Sequence, residues 1–103
     1  MSFKTVVLPQ AKSDIQSATD WYENQQQGLG KKFKQQIIKA IDAIGDPVRG
    51  YGFVYINLSR VFVEKFPYCI YFIMDEVKQT VVIYAVLHGK QNRNSTLEQR
   101  AQP

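Results

Sequence analysis

One segment of the sequence, residues 60–74, reads RVFVEKFPYCIYFIM. It contains two runs of β-branched and aromatic residues on either side of Phe66-Pro67-Tyr68. Pro67 cannot donate a ladder hydrogen bond and its φ is fixed, so within a strand pattern it marks a turn, an edge or a bulge. The stretch therefore predicts a β-hairpin.

A third β-prone run, TVVIYAVL, occupies residues 80–87 and follows the polar interruption DEVKQ at residues 75–79. Connections of this length usually join antiparallel neighbours. The second half of the chain is therefore predicted to be a meander of at least three strands. Residues 53–58 could extend the first of these strands, with a bulge near residues 57–59. After Leu87 the chain turns polar, and we expect residues 89–103 to form a loop and a flexible tail.

Helical periodicity precedes the meander. A short β-prone segment from Phe3 to Leu8 ends at Pro9, and the sequence SDIQ at residues 13–16 has the form of a capping box. The helix could also begin earlier, near Gln10. Apolar residues then recur at three- and four-residue steps and predict an amphipathic helix to about Gln26, with Trp21 at the edge of the stripe formed by Ala11, Ile15, Ala18 and Tyr22.

The segment Gly28-Leu29-Gly30 separates this helix from a second one, since glycine adopts the left-handed conformation that often follows a last helical turn. The second apolar stripe consists of Leu29, Phe33, Ile37, Ile41 and Ile44, and it ends at the GDP sequence of residues 45–47. A break this short predicts an antiparallel helical hairpin. The element order is then β, α, α, β, β, β. This order predicts an α+β fold in which the helical hairpin packs on one face of a twisted, largely antiparallel sheet and the other face is open to a partner.

The bulk properties are those of a soluble globular protein. The 103 residues are 45% apolar and 21% charged, which predicts a single domain spanning residues 1–103. Thirteen Lys and Arg against nine Asp and Glu leave a net charge of +4, which favours an anionic partner such as nucleic acid or an acidic protein segment. The apolar runs are too short for a membrane-spanning helix, and the N-terminus lacks the apolar core of a signal peptide, so we expect a cytoplasmic protein.

Few residues of this sequence could take part in catalysis or metal binding. The single cysteine, Cys69, excludes a disulfide framework, and together with one histidine it falls short of a metal site. A basic set remains at the ends of the predicted strands: Arg60 begins the hairpin, and His88, Lys90 and Arg93 follow the last strand. If the meander pairs in simple register, these four residues could converge near one sheet edge and bind a phosphate or stabilise the charge that develops in RNA cleavage. The alternative is a solvated loop with a structural histidine.

A second candidate surface lies on the helical hairpin. Lys31, Lys32 and Lys34 lie on the polar side of the second helix, where they form either a solvated face or a surface for nucleic acid or an acidic partner. Trp21 could contact a partner or pack between the helices. Tyr68 begins the second strand of the hairpin, and it is either core or a stacking surface.

Several short segments of the sequence, taken in chain order, resemble those of a known superfamily. The quoted matches are Ala11-Lys12-Ser13-Asp14-Ile15 with Trp21-Tyr22-Glu23, Gly28-Leu29-Gly30 with Phe33, Phe66-Pro67-Tyr68 with Ile70-Tyr71, and Ala85-Val86-Leu87-His88. Over about residues 3 to 90 the chain is similar to the RelE/ParE superfamily of bacterial type II toxin–antitoxin toxins, also called plasmid stabilisation proteins. The resemblance implies a toxin that a cognate antitoxin neutralises by wrapping the sheet and helices. On this basis we expect Trp21, Lys31, Lys32, Lys34 and Tyr68 to bind a partner.

The superfamily splits by target, and the resemblance leaves both branches open. RelE-like members are ribosome-dependent mRNA endonucleases, which here would use Arg60, Lys90 and Arg93 to hold phosphate and His88 to transfer a proton. ParE-like members inhibit DNA gyrase by binding and need no cofactor. Cys69 occupies a position where nuclease members often carry a basic residue, and the tail lacks the usual paired basics, proline and tryptophan, so we favour the ParE-like branch. A degenerate, non-toxic member that keeps the fold and antitoxin binding is a third possibility.

Overall fold

A computed structural model describes residues 4–44, 53–55, 58–75 and 77–89. The elements, in chain order, are β1 Lys4–Val7, α1 Pro9–Gln25, α2 Leu29–Ile44, β2 Phe53–Tyr55, β3 Leu58–Phe62, β4 Tyr68–Asp75 and β5 Thr80–His88. The sheet order is β1-β5-β4-β3-β2, and only the β1–β5 pair is parallel among the described strands. The predicted α+β order β, α, α, β, β, β is confirmed, with the short β2 as an additional strand.

The hairpin around Pro67 forms as its sequence predicts. β3 and β4 pair antiparallel from Ser59 opposite Phe72 to Phe62 opposite Cys69. The turn is closed by the Val63 N–H, which donates to the Tyr68 carbonyl oxygen at 2.9 Å. The strands β4 and β5 also pair antiparallel, so the meander prediction is confirmed.

The segment before β3 differs from its prediction. Residues 53–55 do not extend β3; they form β2, which folds back antiparallel so that Phe53 lies opposite Ser59 and Tyr55 opposite Leu58. This pairing gives the backbone groups on the outer side of β3 a partner, which an extension in line would not provide. The irregularity in the pairing lies between Phe53 and Tyr55, rather than near residues 57–59.

The first helix begins four residues before the predicted capping box. It starts at Pro9, and its cap residue Leu8 makes no side-chain hydrogen bond to the first turn. Proline suits this position because the first helical N–H groups have no intrahelical partner and its φ is already helical. Ser13 therefore lies inside the helix, exposed to solvent. The break after Gln25 is confirmed, and Gly28 adopts the left-handed φ of +87° that glycine tolerates.

The two helices approach each other closely at Gly30. A β-carbon at this buried position would lie 2.6 Å from the backbone oxygen of Thr19, so only glycine fits without a shift. The Glu23 carboxylate accepts hydrogen bonds from the Gly28 and Gly30 N–H groups at 3.0–3.1 Å and thereby supplies acceptors for the first turn of α2. Helix α1 lies over β5, and α2 reaches β3.

The main core lies between the helices and the sheet. Its buried members come from both helices, from β4 and β5, and from the turn after β3: Ala11, Ala18, Phe33, Ile37, Ile44, Val63, Ile70, Phe72, Val81, Ile83 and Val86. We call this side of the sheet the helix-covered face. No helix among the described residues is long and apolar enough to cross a membrane.

The opposite side of the sheet, which we call the far face, was predicted to be open, and this expectation is wrong for its centre. Leu58, Cys69, Tyr71, Ala85 and Leu87 form a second buried cluster, each with at most 4% of its surface exposed. The lone cysteine is a member of this cluster and is buried, as suits a small apolar side chain. The far face therefore carries its own small core, and its exposed part lies toward the outer strands, where Phe62 is 67% exposed.

Candidate functional site

The structure places Arg60 and His88 on opposite faces of the sheet. Arg60 pairs with Tyr71, which pairs with Ala85, and both of these partners belong to the far-face cluster. His88 pairs with Tyr68, whose ring packs on the helix-covered core. Residues directly opposite in an antiparallel pair project to the same side. The predicted convergence of Arg60 and His88 is therefore not observed, while Lys90 and Arg93 lie outside the described residues.

A bulge in β5 explains this placement. Tyr71 lies opposite Ala85, but the next residue, Phe72, lies opposite Ile83, so β5 carries one extra residue at this point. Tyr84 and Ala85 both contact the far-face cluster, after which Val86 returns to the helix-covered core. Strict alternation from Ile83 would have placed His88 on the far face. The sequence contains no glycine or proline in this run that would have revealed the bulge.

On the far face, Arg60 stacks on an exposed ring. The guanidinium carbon lies 5.2 Å from the centroid of Phe62, within the range of a cation–π contact. Phe62 is two residues further along β3 and therefore on the same side. This pair provides a cationic and aromatic edge to the far face.

On the helix-covered face, His88 lies in a notch of about 260 Å³ between α1 and the end of β5. The notch, here called the His88 notch, is lined by Asp14, Ser17, Ala18, Trp21, Tyr68, Val86 and His88. The rings of Tyr68 and His88 meet edge to face, with centroids 5.2 Å apart. Trp21 is 57% exposed, so the prediction that it lies at the edge of the helical stripe is confirmed.

Asp14 connects α1 to β5 in the lining of this notch. Its Oδ2 accepts a hydrogen bond from the Val86 N–H at 3.0 Å. Since β1 pairs with β5 only as far as Ile83, this donor lies beyond the end of β1, and the carboxylate takes the place of a strand partner. Sequence reasoning missed Asp14 as a site residue, because it placed this residue in a capping box at the helix start.

Tyr68 links the notch to the core. Its ring lies 5.1 Å from Phe33 and 6.1 Å from Tyr22. Burial raises the pKa of the Tyr68 phenol above its ordinary value, and the nearby Tyr22 phenol and Asp14 carboxylate raise it further. Burial likewise raises the pKa of the Tyr22 phenol. Tyr68 is half-buried, and the raised pKa means that its phenol stays neutral to a higher pH than an exposed tyrosine.

The three predicted lysines are exposed, and one of them, Lys34, borders an apolar groove. Lys31, Lys32 and Lys34 are all exposed to solvent on α2. The Lys39 Nζ lies 3.6 Å from the Glu64 Oε2, and an exposed ion pair of this kind contributes little to stability. Between the two helices runs a groove of about 370 Å³, here called the hairpin groove, lined by Val7, Lys12, Ile15, Gln16, Lys34, Ile37, Ile38 and Ile41.

Sequence reasoning also missed Ile38, which lines this groove and is 54% exposed. The available signal was the adjacent pair Ile37-Ile38, because neighbouring residues on a helix point about 100° apart and Ile38 lies outside the predicted apolar stripe. Within the part of the chain that the structure describes, no group of three or more His, Cys, Asp and Glu side chains could hold a metal ion.

Comparison with known proteins gives a family and a fold. The family model described as the ParE toxin of the type II toxin–antitoxin system parDE matches residues 6–93. No curated protein sequence matches the chain. The structure resembles a chain of the chromosomal ParDE toxin–antitoxin system from P. aeruginosa, with a TM-score of 0.67, 14% identity, and coverage of 84% of this chain and 96% of that one.

Two further solved structures share the fold. The toxin–antitoxin complex RelBE2 from Mycobacterium tuberculosis matches with a TM-score of 0.60 at 14% identity and covers 85% of this chain and 99% of that one. A mutant of the E. coli toxin RelE in the free state matches with a TM-score of 0.54 at 10% identity and covers 99% of this chain and 100% of that one. At these identities the likeness establishes the fold, and the family assignment rests on the matched residues 6–93.

Proposed function

Because the chain belongs to the ParE toxin family of type II toxin–antitoxin systems, we propose that it inhibits DNA gyrase by binding and that a cognate antitoxin neutralises it. The proposed activity is binding alone, so it requires no cofactor. Gyrase acts in the cytoplasm, and the proposal therefore places the toxin there.

The observation that carries this proposal is the separation of Arg60 and His88 onto opposite faces of the sheet. A ribonuclease needs its proton-transferring group within about 3 Å of the reacting oxygen and its cationic groups on the same phosphate. Side chains that project from opposite faces of a sheet, as those of Arg60 and His88 do, are poorly placed to share one phosphate. The geometry thus favours inhibition by binding over mRNA cleavage.

The antitoxin surface that we propose is the hairpin groove with its lysines. The groove is apolar along its length, and Lys12 and Lys34 flank it. An amphipathic helix with an apolar stripe and acidic borders fits such a surface, because the stripe buries against the isoleucines and the borders meet the lysines. Lys31 lies one turn nearer the start of α2 on a neighbouring side and extends this positive surface, whereas Lys32 points about 160° away from Lys34 around the helix axis and does not.

The target assignment is tested by expressing the chain in a bacterium without its antitoxin, with DNA supercoiling and mRNA integrity measured in the same cells. We expect growth inhibition with loss of supercoiling, and the purified chain should inhibit supercoiling by purified gyrase. Cleavage of mRNA on translating ribosomes with supercoiling intact would contradict the proposal and indicate a RelE-like endonuclease. Normal growth with antitoxin binding retained would indicate a degenerate, non-toxic member.

The antitoxin surface is tested by co-purification with the product of the neighbouring open reading frame. Ile38→Asp places a charge on the exposed wall of the hairpin groove and should abolish co-purification. Asn24→Asp makes the same change of charge at an exposed α1 position away from the groove, so it should leave co-purification intact. If the two variants behave alike, the antitoxin does not use the groove.

A further inference from the structure

The hairpin groove combines two kinds of side chain. Its walls are mainly aliphatic and include Ile15 on α1 and Ile38 on α2, while the charged side chains in its described lining are Lys12 and Lys34. Aliphatic walls bind the apolar stripe of any amphipathic helix and discriminate poorly between helices. Charged borders discriminate better, because a like charge on the wrong partner is repelled. The lysines are therefore the part of the groove that can distinguish one helix from another.

The charges of both lysines are available to a partner. Both side chains are exposed, and within the described part of the chain neither forms an ion pair, in contrast to Lys39, whose Nζ lies 3.6 Å from the Glu64 Oε2. The same two helices carry Asp20 and Asp42, but neither of these carboxylates lines the groove. Asp20 instead accepts a hydrogen bond from the Gln16 Nε2 at 2.8 Å. An acidic side chain of a partner could therefore pair with each lysine.

The two lysines lie on opposite walls and toward opposite ends of the groove. The helices run antiparallel, with the Tyr22 ring 5.1 Å from the Phe33 ring near the hairpin turn. Lys34 follows this contact directly on α2, whereas Lys12 lies in the first turn of α1, level with the last turns of α2. At a rise of about 1.5 Å per residue, the lysines are roughly 10 Å apart along the helix axes. Two charges placed in this way match one register and one direction of a bound helix best.

We propose that Lys12 and Lys34 determine which antitoxin the toxin accepts, by pairing with two carboxylates on opposite borders of the bound helix. This inference rests on the proposed function, because it takes the antitoxin helix as the occupant of the hairpin groove. It adds selectivity to that function. The aliphatic walls hold the helix, and the lysines fix its register and reject helices whose borders are basic.

The selectivity is tested by reversing the charge of each lysine and measuring the affinity for the purified product of the neighbouring open reading frame. Lys12→Glu and Lys34→Glu should each weaken binding by roughly tenfold or more, because repulsion replaces an ion pair, and the double variant should fail to co-purify. Lys32→Glu is the matched control. It makes the same change of charge on α2, at an exposed position about 160° from Lys34 around the helix axis, and should bind as the wild type does.

A compensating change in the antitoxin tests the pairing itself. Each Asp and Glu of the antitoxin is replaced by Lys in turn, and every replacement is titrated against Lys12→Glu, Lys34→Glu and the wild-type toxin. For each toxin variant, one replacement should restore roughly tenfold or more of the lost affinity and should bind the wild-type toxin poorly. The two rescuing positions should differ, because the lysines lie toward opposite ends of the groove.

Three results would overturn the assignment. The first is an equal loss of affinity in Lys32→Glu, which would mean that overall charge, and not the groove, attracts the antitoxin. The second is wild-type affinity in the double variant Lys12→Glu/Lys34→Glu. The third is that no replacement in the antitoxin restores binding to either variant, which would mean that the lysines do not pair with its carboxylates.

Failure of this inference is distinguishable from failure of the proposed function. If Ile38→Asp abolishes co-purification and the lysine reversals do not, the groove binds the antitoxin and the lysines do not select it. If Ile38→Asp leaves co-purification intact, the proposed antitoxin surface is wrong and the role of the lysines falls with it. None of these measurements involves gyrase, so they decide the selectivity whichever target the toxin has.

Discussion

The two faces of the sheet are closed in different ways. On the helix-covered face, two helices bring rings and aliphatic side chains over the strands, and Phe33, Phe72 and Ile83 are completely buried. On the far face, a smaller cluster includes Tyr71 and Leu87, each with 2% of its surface exposed. The neighbouring Arg60–Phe62 pair remains accessible. The same strands therefore serve a main core and a secondary core. One strand pattern can hide apolar residues on both sides, and counting apolar positions does not show which side is free for a partner.

Truncation of one buried residue on each face tests whether both faces of the sheet are cores. Phe72→Ala empties a site in the main core and should lower the free energy of unfolding by about 3–5 kcal/mol. Leu87→Ala should cost about 2 kcal/mol or more if the far-face cluster is a real core. The measurement is urea unfolding, with the change read from the midpoint at constant slope.

The control for this pair is Val77→Ala, which truncates a side chain that is 95% exposed and should change the free energy of unfolding by less than about 0.5 kcal/mol. Should Leu87→Ala behave like this control, the far face would be open in solution and the two faces would not both be cores.

The close contact between the two helices can be tested at Gly30. In Gly30→Ala, the new β-carbon would meet the Thr19 backbone oxygen, and overpacking of this kind costs about 1–3 kcal/mol. Gly28→Ala is the matched control: it has open space around the new β-carbon and a φ of +87°, so it should lose about 1 kcal/mol from conformation alone. A gain in stability for Gly30→Ala, as helix propensity alone would give, would show that the helices are not in close contact.

Much of the main architecture was predictable from local signals. Pro67 between two β-prone runs predicts the hairpin turn, because proline fixes φ and cannot donate a backbone hydrogen bond. Gly28 predicts the helix break, because glycine tolerates the positive φ that the structure shows there. Of the two predicted helix starts, the one near Gln10 lies next to the observed start at Pro9, whereas the SDIQ motif at residues 13–16 lies inside the helix and does not cap it.

The site was less predictable because it depends on contacts between distant residues. Asp14 and Val86 are 72 positions apart in the sequence, and no local sequence pattern predicts the hydrogen bond between them. The bulge at Tyr84 and Ala85 decides which face His88 joins, and it follows from pairing with β4 rather than from the residues of β5. The exposure of Trp21 was predictable, since its position at the edge of a helical stripe is a local property.

A smaller effect is expected at Glu23, whose carboxylate caps the first turn of α2. Glu23→Ala removes the acceptor for the Gly28 and Gly30 N–H groups and should cost about 1 kcal/mol, the usual worth of a helix cap. Asp20→Ala is the control, because it removes another exposed carboxylate of α1, whose partner among the described residues is the Gln16 side chain. Equal effects in urea unfolding would mean that packing, without the cap, holds α2 on the helix-covered face.

The smallest effect is expected from pH, and it should fall on the helix-covered face. Burial raises the pKa of Tyr22 and Tyr68 above the ordinary value of 10.0. Below that pH both phenols are neutral in the folded and unfolded chains, so they add no pH dependence. As the pH rises past it, the unfolded chain releases these protons first, and the folded state loses stability.

Urea unfolding between about pH 8 and about pH 11 should therefore show a decline at the alkaline end. Replacing both residues in Tyr22→Phe/Tyr68→Phe should make this decline shallower, because the rings still pack and no longer ionise. The difference between variant and wild type cancels the titration of the lysines, which both proteins share. An identical alkaline slope in the two proteins would show that the ring cluster between helices and sheet is more hydrated than its packing indicates, and the contrast between the two faces would shrink accordingly.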